Sequence, residues 1–344
     1  MTDDPDYRRL GRSGLRVSRL CLGTMLFGGR TDEVEARRIV EAAAADGVNF
    51  IDTADTYTGG RSEEIVGRVI AADRDHWVLA TKLANPNGAD ADKQEPNRRG
   101  LSRKWIIQEL RASLARLGTD YVDILYLHKE DPDTPLAETV RALADLQRAG
   151  AIRYFGVSNH KAWRVAAICG LCDELGIDRP VVCQPLYHAL NRAAEVELLP
   201  ACAAFGLGVV PYSPLARGVL TGKYVEAAPP ADSRAASGDK RMLETEFRRE
   251  AVEAARALAE HARAEGHDPG AWALAFVLAN KAVTGLIAGP RTLAQWQVYR
   301  DALAIDWTTS DEAAVDAVVP PGATAVPHFV DPAYPVEGRV FTGR

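Results

Sequence analysis

Four side chains that together could move a proton stand at or just beyond the ends of successive apolar runs: Asp52, Tyr57, Lys82 and His128. Asp52 closes the run Val48 to Ile51. Tyr57 follows five residues later in a loop closed by Gly59 and Gly60, far enough on to turn over a strand end and face back. A phenol is a poor acid near neutral pH, but an adjacent ammonium favours its ionised form and eases proton loss. Lys82 can supply that charge. Such an ammonium needs a partner, and Asp52 is the carboxylate available to hold and orient it. His128 can donate a hydrogen bond to a substrate oxygen and fix its direction. The set amounts to a proton donor beside a polar hole the size of a carbonyl group. Reducing a carbonyl also requires a hydride, which no side chain provides, so the same residues imply a cofactor.

These residues must be brought to one place, and the periodicity of the chain says how. Apolar runs predict strands over 18–23, 48–52, 77–82, 121–128, 152–158, 181–185, 207–213 and 283–288. Helical spacing predicts helices over 32–46, 61–72, 102–117, 136–149, 161–175, 194–205, 244–265 with 269–280, and 293–303. Two short alternating runs about Gly11-Arg12-Ser13-Gly14 predict a β-hairpin over 7–20 ahead of them. Eight continuous apolar strands, each followed by a helix, are what a parallel sheet covered by helices produces. The expected fold is α/β, a single (β/α)8 TIM barrel across 1–344, with extra helices near the C-terminus and a tail over about 320–344. A doubly wound open sheet would want a Gly-rich turn after its first strand, and Gly23 to Gly29 lacks that spacing.

A barrel builds its active site at the carboxyl ends of its strands. Those ends are Thr24, Asp52 with Tyr57, Lys82, His128, Ser158 with Asn159, Gln184, Tyr212 with Ser213, and Gly289 with Arg291. A polar residue stands at every one.

The ordered motifs resemble the aldo-keto reductase superfamily, and within it the branch of bacterial reductases and potassium-channel β-subunits. They are Leu10-Gly11-Arg12-Ser13-Gly14-Leu15, Phe50-Ile51-Asp52-Thr53-Ala54-Asp55-Thr56-Tyr57, Ser62-Glu63-Glu64-Ile65-Val66-Gly67, and Ala80-Thr81-Lys82. Asp123 to His128, Ile152 to Asn159, Pro211-Tyr212-Ser213-Pro214-Leu215 and Leu220 to Tyr224 continue the match to about Leu303. The resemblance implies a catalytic tetrad of Asp52, Tyr57, Lys82 and His128, with Tyr57 as general acid in reduction and general base in oxidation. It implies NADPH/NADP+ bound without a Rossmann fold. Thr24, Met25, Ser158, Asn159 and Gln184 would lie about the nicotinamide, with Tyr212 stacked on the ring. Ser213, Pro214, Leu215, Arg217 and Gly218 would pass the pyrophosphate, and Gly289, Arg291 and Gln295 would meet the adenosine 2′-phosphate. Val298 and Tyr299 stand where the family usually has Glu and Asn, so NADH is not excluded. The implied reaction is reduction of an aldehyde or ketone to an alcohol, and a cofactor-binding regulatory or redox-sensing subunit with slow catalysis is the alternative.

Composition narrows the remaining classes. The 344 residues carry a formal net charge of −6 and no dense Lys/Arg block, so the footprint of a nucleic-acid or anionic-membrane partner is missing. The acidic start Met1 to Asp6 has no apolar segment after it, no run is long enough to span a bilayer, and the expected setting is cytoplasmic. Five scattered cysteines read as reduced thiols, with Cys169-Gly170-Leu171-Cys172 as helix packing rather than a redox or zinc motif. A metal-dependent hydrolase would want an H-x-H or H-E-x-x-H among the seven His, and neither occurs. Substrate loops are expected over 83–101 and 215–241 and in the tail, where 326–334 could lay aromatic residues over the mouth. Trp163 and His188 are weaker candidates for a pocket wall. No sequence signal sets the oligomeric state or the particular carbonyl compound.

Overall fold

The computed structural model describes residues 7–86, 95–224, 230 and 233–334. The acidic start, Asn87 and Gly88 of the first long loop, part of the 215–241 loop and the tail beyond 334 lie outside the described residues. By compactness the chain falls into two units. The first comprises Met1–Leu186, Glu197–Tyr212 and Leu278–Arg300; the second comprises Tyr187–Val196, Ser213–Val277 and Asp301–Arg344.

The first unit opens on an antiparallel hairpin of β1 (Tyr7–Arg9) and β2 (Arg16–Ser18). Eight parallel strands follow: β3 (Leu20–Gly23), β4 (Phe50–Asp52), β5 (Val78–Leu83), β6 (Val122–Leu127), β7 (Ile152–Ser158), β8 (Val182–Gln184), β9 (Gly208–Val209) and β10 (Leu286–Ala288). Their order in the sheet is β10-β3-β4-β5-β6-β7-β8-β9. Backbone N–H groups of Thr284 and Ile287 donate to Val209 O (2.8 Å) and Pro211 O (2.9 Å), which brings the two edges together. The result is a (β/α)8 TIM barrel with an N-terminal hairpin.

Helices α1 (Glu33–Ala45), α2 (Arg61–Ile70), α3 (Arg103–Leu117), α4 (Leu136–Arg148), α5 (Ala162–Leu175), α6 (Leu198–Phe205) and α10 (Leu293–Ala302) stand between the strands or after the last. Their starts follow local chemistry: Asp32 and Ser102 cap α1 and α3 through side-chain oxygens that accept from the third N–H of each helix. Helices α2 and α3 approach so closely that a Cβ at Gly67 would lie 2.2 Å from Leu117 O.

The strands are buried on both faces, as parallel strands covered by helices must be. In the hairpin region Leu10 and Val17 pack with Phe50, Val78 and Val182, each the first residue of its strand. The hairpin therefore closes the amino-terminal end of the barrel and leaves the carboxyl ends of the strands for chemistry.

The second unit is helical, with α7 (Lys240–Glu244), α8 (Arg249–Ala264), most of α9 (Pro269–Ala279) and α11 (Thr309–Val318). One buried carboxylate organises it. Asp311 accepts from Trp272 Nε1 (2.7 Å) on α9, lies 3.1 Å from His261 Nε2 on α8, and completes a capping box with Thr308. Arg192 reaches Asp316 and Val319 O at 2.6 and 2.9 Å, tying the segment after β8 to α11. Helix α11 was not among the predicted helices, although Thr308-x-x-Asp311 is a capping-box signal. Among the described residues no helix is long and apolar enough to cross a membrane.

Candidate active site

Strand register decides which side chains share the barrel interior. Paired residues on neighbouring strands face the same side, as do residues two apart on one strand. Asp52 pairs with Ala80, two before Lys82; Lys82 pairs with Tyr126; Tyr126 pairs with Gly156, two before Ser158; and Ser158 pairs with Gln184. Asp52, Lys82, Tyr126, Ser158 and Gln184 therefore all point inward at the carboxyl end, with His128 two residues beyond Tyr126. Gly156 makes room for this ring, since a Cβ there would come within 2.7 Å of Tyr126.

Tyr57 arrives by a different route. After β4, Thr53 N–H donates to Ala80 O (2.9 Å) and Asp55 N–H to Lys82 O (3.2 Å), so the loop first runs on beside β5. It then tightens into a 3₁₀ turn over Tyr57–Gly60, where Thr58 and Gly59 have left-handed backbones. That turn carries the phenol back over the strand end.

The ammonium of Lys82 is fully buried and donates three ways: to Asp52 Oδ1, to Thr53 O (2.8 Å) and to the Tyr57 hydroxyl (3.1 Å). Gln184 Nε2 donates to the other Asp52 oxygen at 2.9 Å. Burial by itself would pull the lysine down, yet Asp52 and Tyr57 overcome it and hold the ammonium above its ordinary range. Burial likewise raises Asp52, with the ammonium and the Gln184 amide working against it.

The phenol differs from the sequence expectation. Lys82 does favour the ionised form of Tyr57, but burial outweighs it and Asp52 opposes it, so the hydroxyl is raised above its ordinary value. At neutral pH Tyr57 holds its proton. The His128 ring meets the Tyr57 ring edge-on, centroids 6.1 Å apart. Burial, then Lys82 and Lys129, push this imidazole down to about 3, so it is neutral. Its Nδ1 has no hydrogen-bond partner among the described residues.

Around these four the other strand-end residues are interlocked. Ser158 Oγ donates to Gln184 O (2.9 Å), and Asn159 Nδ2 donates to His128 O (2.8 Å) and Ser158 Oγ (3.1 Å). The Tyr212 hydroxyl donates to Asn159 Oδ1 at 2.8 Å, with Asn159 in a left-handed backbone. Thr24 is fully buried, its hydroxyl between Asp52 O (3.0 Å) and Ser62 Oγ (2.8 Å), while Met25 is exposed. Gly289 has open space on its Cβ side. Arg291 N–H donates to Gln295 Oε1 (2.8 Å) and its carbonyl accepts from Thr31 (2.9 Å). Tyr299 is buried and stacked on Trp296, whose Nε1 donates to Asp46 at 2.7 Å.

Ser213, Pro214, Leu215, Arg217 and Gly218 belong to the second unit. Ser213, Ala216, Arg217 and Gly218 all have positive φ, a backbone that gathers N–H groups into an anion-binding concavity, and the buried Arg217 Nε has no partner among the described residues. These features suit a diphosphate. His188, also there, is buried with Nε2 3.3 Å from Glu246. Arg241 pairs with Asp331 of the tail at 2.7 Å, and Tyr334 is exposed. Trp163, in the first unit, is exposed with Arg164 over its ring. All five cysteines are buried and unpaired, and burial lifts Cys169 and Cys172 to about 11 and 12, so both are thiols.

No role follows from the sequence patterns for Tyr126, Thr81, Glu63 or Arg116, although the first three stand in the motifs quoted above, and all four crowd the same strands from inside and outside. Strand alternation was the available signal for the first two, and the motif Ser62-Glu63 for the third.

The sequence model of the aldo/keto reductase family matches residues 19–320. A protein of Oryza sativa subsp. japonica named probable voltage-gated potassium channel subunit beta is 43% identical over 233 residues, covering 66% of this chain and 69% of its own length. YrpG of Bacillus subtilis (strain 168), named an uncharacterized oxidoreductase, is 39% identical over 299 residues, 84% of this chain and 88% of its own. Protein tas of Escherichia coli (strain K12) is 34% identical over 342 residues, 91% of this chain and 97% of its own.

Proposed function

As this chain belongs to the aldo/keto reductase family and is an oxidoreductase, we propose that it reduces an aldehyde or ketone to an alcohol, reversibly, with NADPH as hydride donor and Tyr57 as proton donor. One observation carries the reading: a protonated phenol 3.1 Å from a buried ammonium that Asp52 holds in place. When bound, the nicotinamide supplies the hydride. The protein's own groups do the rest. Neutral His128 donates an N–H to the carbonyl oxygen and orients it. Tyr57 transfers its proton to that oxygen as negative charge develops, and the Lys82 ammonium steadies the phenolate left behind. In oxidation the phenolate takes the proton back.

For the cofactor, Ser158, Asn159 and Gln184 hold the carboxamide and Tyr212 covers one face of the ring, its hydroxyl bond to Asn159 fixing the ring's direction. Thr24, whose hydroxyl and backbone are both taken within the protein, supports the site from behind, and Met25 lies beside it. Ser213, Pro214, Leu215, Arg217 and Gly218 are the pyrophosphate segment, supported by the left-handed turn and the unpartnered Arg217 Nε. Gly289, Arg291 and Gln295 are the adenosine-phosphate segment, and a guanidinium there favours NADPH over NADH. Five buried thiols fit a reducing, cytoplasmic setting.

The similarity to proteins named potassium channel β subunits supports a second reading, a cofactor-binding regulatory subunit whose catalysis is slow. Loss of nicotinamide absorbance across a panel of carbonyl compounds tests the first. Tyr57→Phe is expected to lower kcat by about 100-fold or more while NADPH binding, followed by its fluorescence, is kept. A variant that turns over as fast as the wild type would remove Tyr57 from the chemistry. A wild type that binds NADPH and reduces no carbonyl favours the second reading, and a higher kcat/KM with NADH refutes the cofactor assignment.

A further inference from the structure

A carboxylate stripped of water needs a reason, and Glu63, in the first turn of α2, is fully buried without belonging to the reacting group. Its Oε1 accepts from the Thr81 hydroxyl (2.5 Å) and its Oε2 from Arg116 Nε (2.6 Å). Arg116 also donates to Glu109 Oε1 (2.7 Å) and Ser113 Oγ (3.1 Å) on its own helix α3. Both ends of this chain of bonds reach the proton-transfer pair. Thr81 precedes Lys82 on β5, so it faces outward where Lys82 faces inward. At the other end the Arg116 side chain lies against Gly60, where a Cβ would come within 2.8 Å of Arg116 Cδ. Gly60, at φ 92°, closes the turn that begins at Tyr57.

We propose that Glu63 is a positioning residue: through Thr81 and Arg116 it braces the Lys82 strand against the Tyr57 turn and so sets the distance between ammonium and phenol. The inference rests on the reading of Tyr57 and Lys82 as the proton-transfer pair. A buried ion pair adds little stability over an apolar filling of the same shape, so its use is better sought in geometry. Charge-assisted bonds of 2.5 to 2.7 Å at both ends make a stiff link. Asp55 shares this layer: its carboxyl is pushed well up by burial, with Glu109 and Glu63 adding and Arg116 opposing. Its negative charge, like that of Asp52, opposes ionisation of the phenol. The charged and titratable groups facing Tyr57 are then Lys82 from β5, Asp52 from β4, Asp55 from its own loop and His128 from the end of β6.

Glu63→Gln and Thr81→Val test the link, with Thr81→Ser as the conservative rescue. Two readouts are taken: the pH profile of alcohol oxidation with NADP+, and the ultraviolet tyrosinate titration of Tyr57, obtained by subtracting the Tyr57→Phe protein. If the brace is lost the ammonium drifts from the phenol, so both readouts move to higher pH. Oxidation kcat falls about tenfold, and NADPH affinity measured by fluorescence changes less than about twofold, within the spread expected for an interaction made only in the transition state. Thr81→Ser restores the wild-type values. Removing the Glu63 charge without moving Lys82 would shift both readouts to lower pH, which overturns the geometric reading. Unmoved profiles with only less folded protein overturn it too. Should Glu63→Gln fail to fold, Thr81→Val against Thr81→Ser decides alone. The titration needs no turnover, so a wild type that oxidises nothing refutes the proposed function and leaves the brace to be judged by the phenol.

Discussion

Asp52→Asn puts the buried ammonium to the most direct test. Lys82 is fully buried, and without the carboxylate its acceptors are all uncharged: Thr53 O, the Tyr57 hydroxyl and the new carboxamide oxygen. Removing one partner of a buried ion pair typically destabilises by about 3–5 kcal/mol. The lysine can escape by releasing its proton, and neutralising an ordinary lysine at pH 7 requires about 5 kcal/mol. The two routes agree, so the loss at pH 7 should be about 3–5 kcal/mol, a large share of the roughly 5–15 kcal/mol that holds a typical domain. The pH dependence gives the sharper reading. In the variant the folded lysine sits below its unfolded value, so the unfolded chain binds more protons and stability rises with pH. In the wild type the folded lysine sits above its unfolded value. Its contribution is present below the unfolded lysine value and is lost as pH rises through the folded one. The gap between the two proteins must therefore narrow between neutral and alkaline pH. Urea unfolding at pH 7 and near pH 10 measures it. A loss under about 1 kcal/mol at pH 7, or an equal loss at both pH values, would refute the buried, charged Lys82.

Two further outcomes follow from the packing and the buried imidazoles. Gly67→Ala should destabilise by about 1–3 kcal/mol or more, because its Cβ would sit 2.2 Å from the Leu117 carbonyl and backbone must move; a thermal melt unchanged from the wild type would count against the α2–α3 contact. His160 is pushed down to about 4, by burial first and by Arg164, with the Ser158 carbonyl opposing. Folded His160 stays neutral while the unfolded imidazole protonates below about 6.5, so stability falls with pH through the window down to about 4. His160→Gln should flatten part of that slope in urea midpoints taken from pH 7 to 5.

The barrel and the reacting residues were legible because one pattern serves both. An apolar run that stops at a polar residue marks a buried strand and its mouth, as at Val48 to Asp52. The ring of strand ends then needed only parallel topology to converge. Extents were less legible. The run expected over 207–213 shortens to Gly208–Val209, since Pro211 has no N–H to give a ladder. The helix expected over 194–205 begins at Leu198, with Pro200 in its first turn, where a missing N–H does no harm. The sign of the Tyr57 shift was beyond reach, for a sequence places Lys82 near the phenol but does not say how much water the loop removes. The role of Glu63 was hidden for a related reason, although the residue stands in a quoted motif. In a helical pattern it is one more first-turn acid, and only its burial against Thr81 and Arg116 separates it from a solvated one.

These burial effects divide the proton chemistry between the two candidate donors. Asp52 and Lys82 cancel, and His128 is neutral because burial and two lysines drive it down to about 3. An imidazole in that condition can offer an N–H but has no extra proton to give near pH 7. Tyr57 is the opposite case. It is raised by burial, so it arrives protonated, yet it lies 3.1 Å from an ammonium that gains most when the phenolate forms. A general acid works best when its proton is held in the ground state and its conjugate base is stabilised only as charge develops. On this division, replacing His128 should raise KM and spoil orientation, whereas replacing Tyr57 should strike kcat. The reverse pattern would mean that the two roles have been assigned the wrong way round.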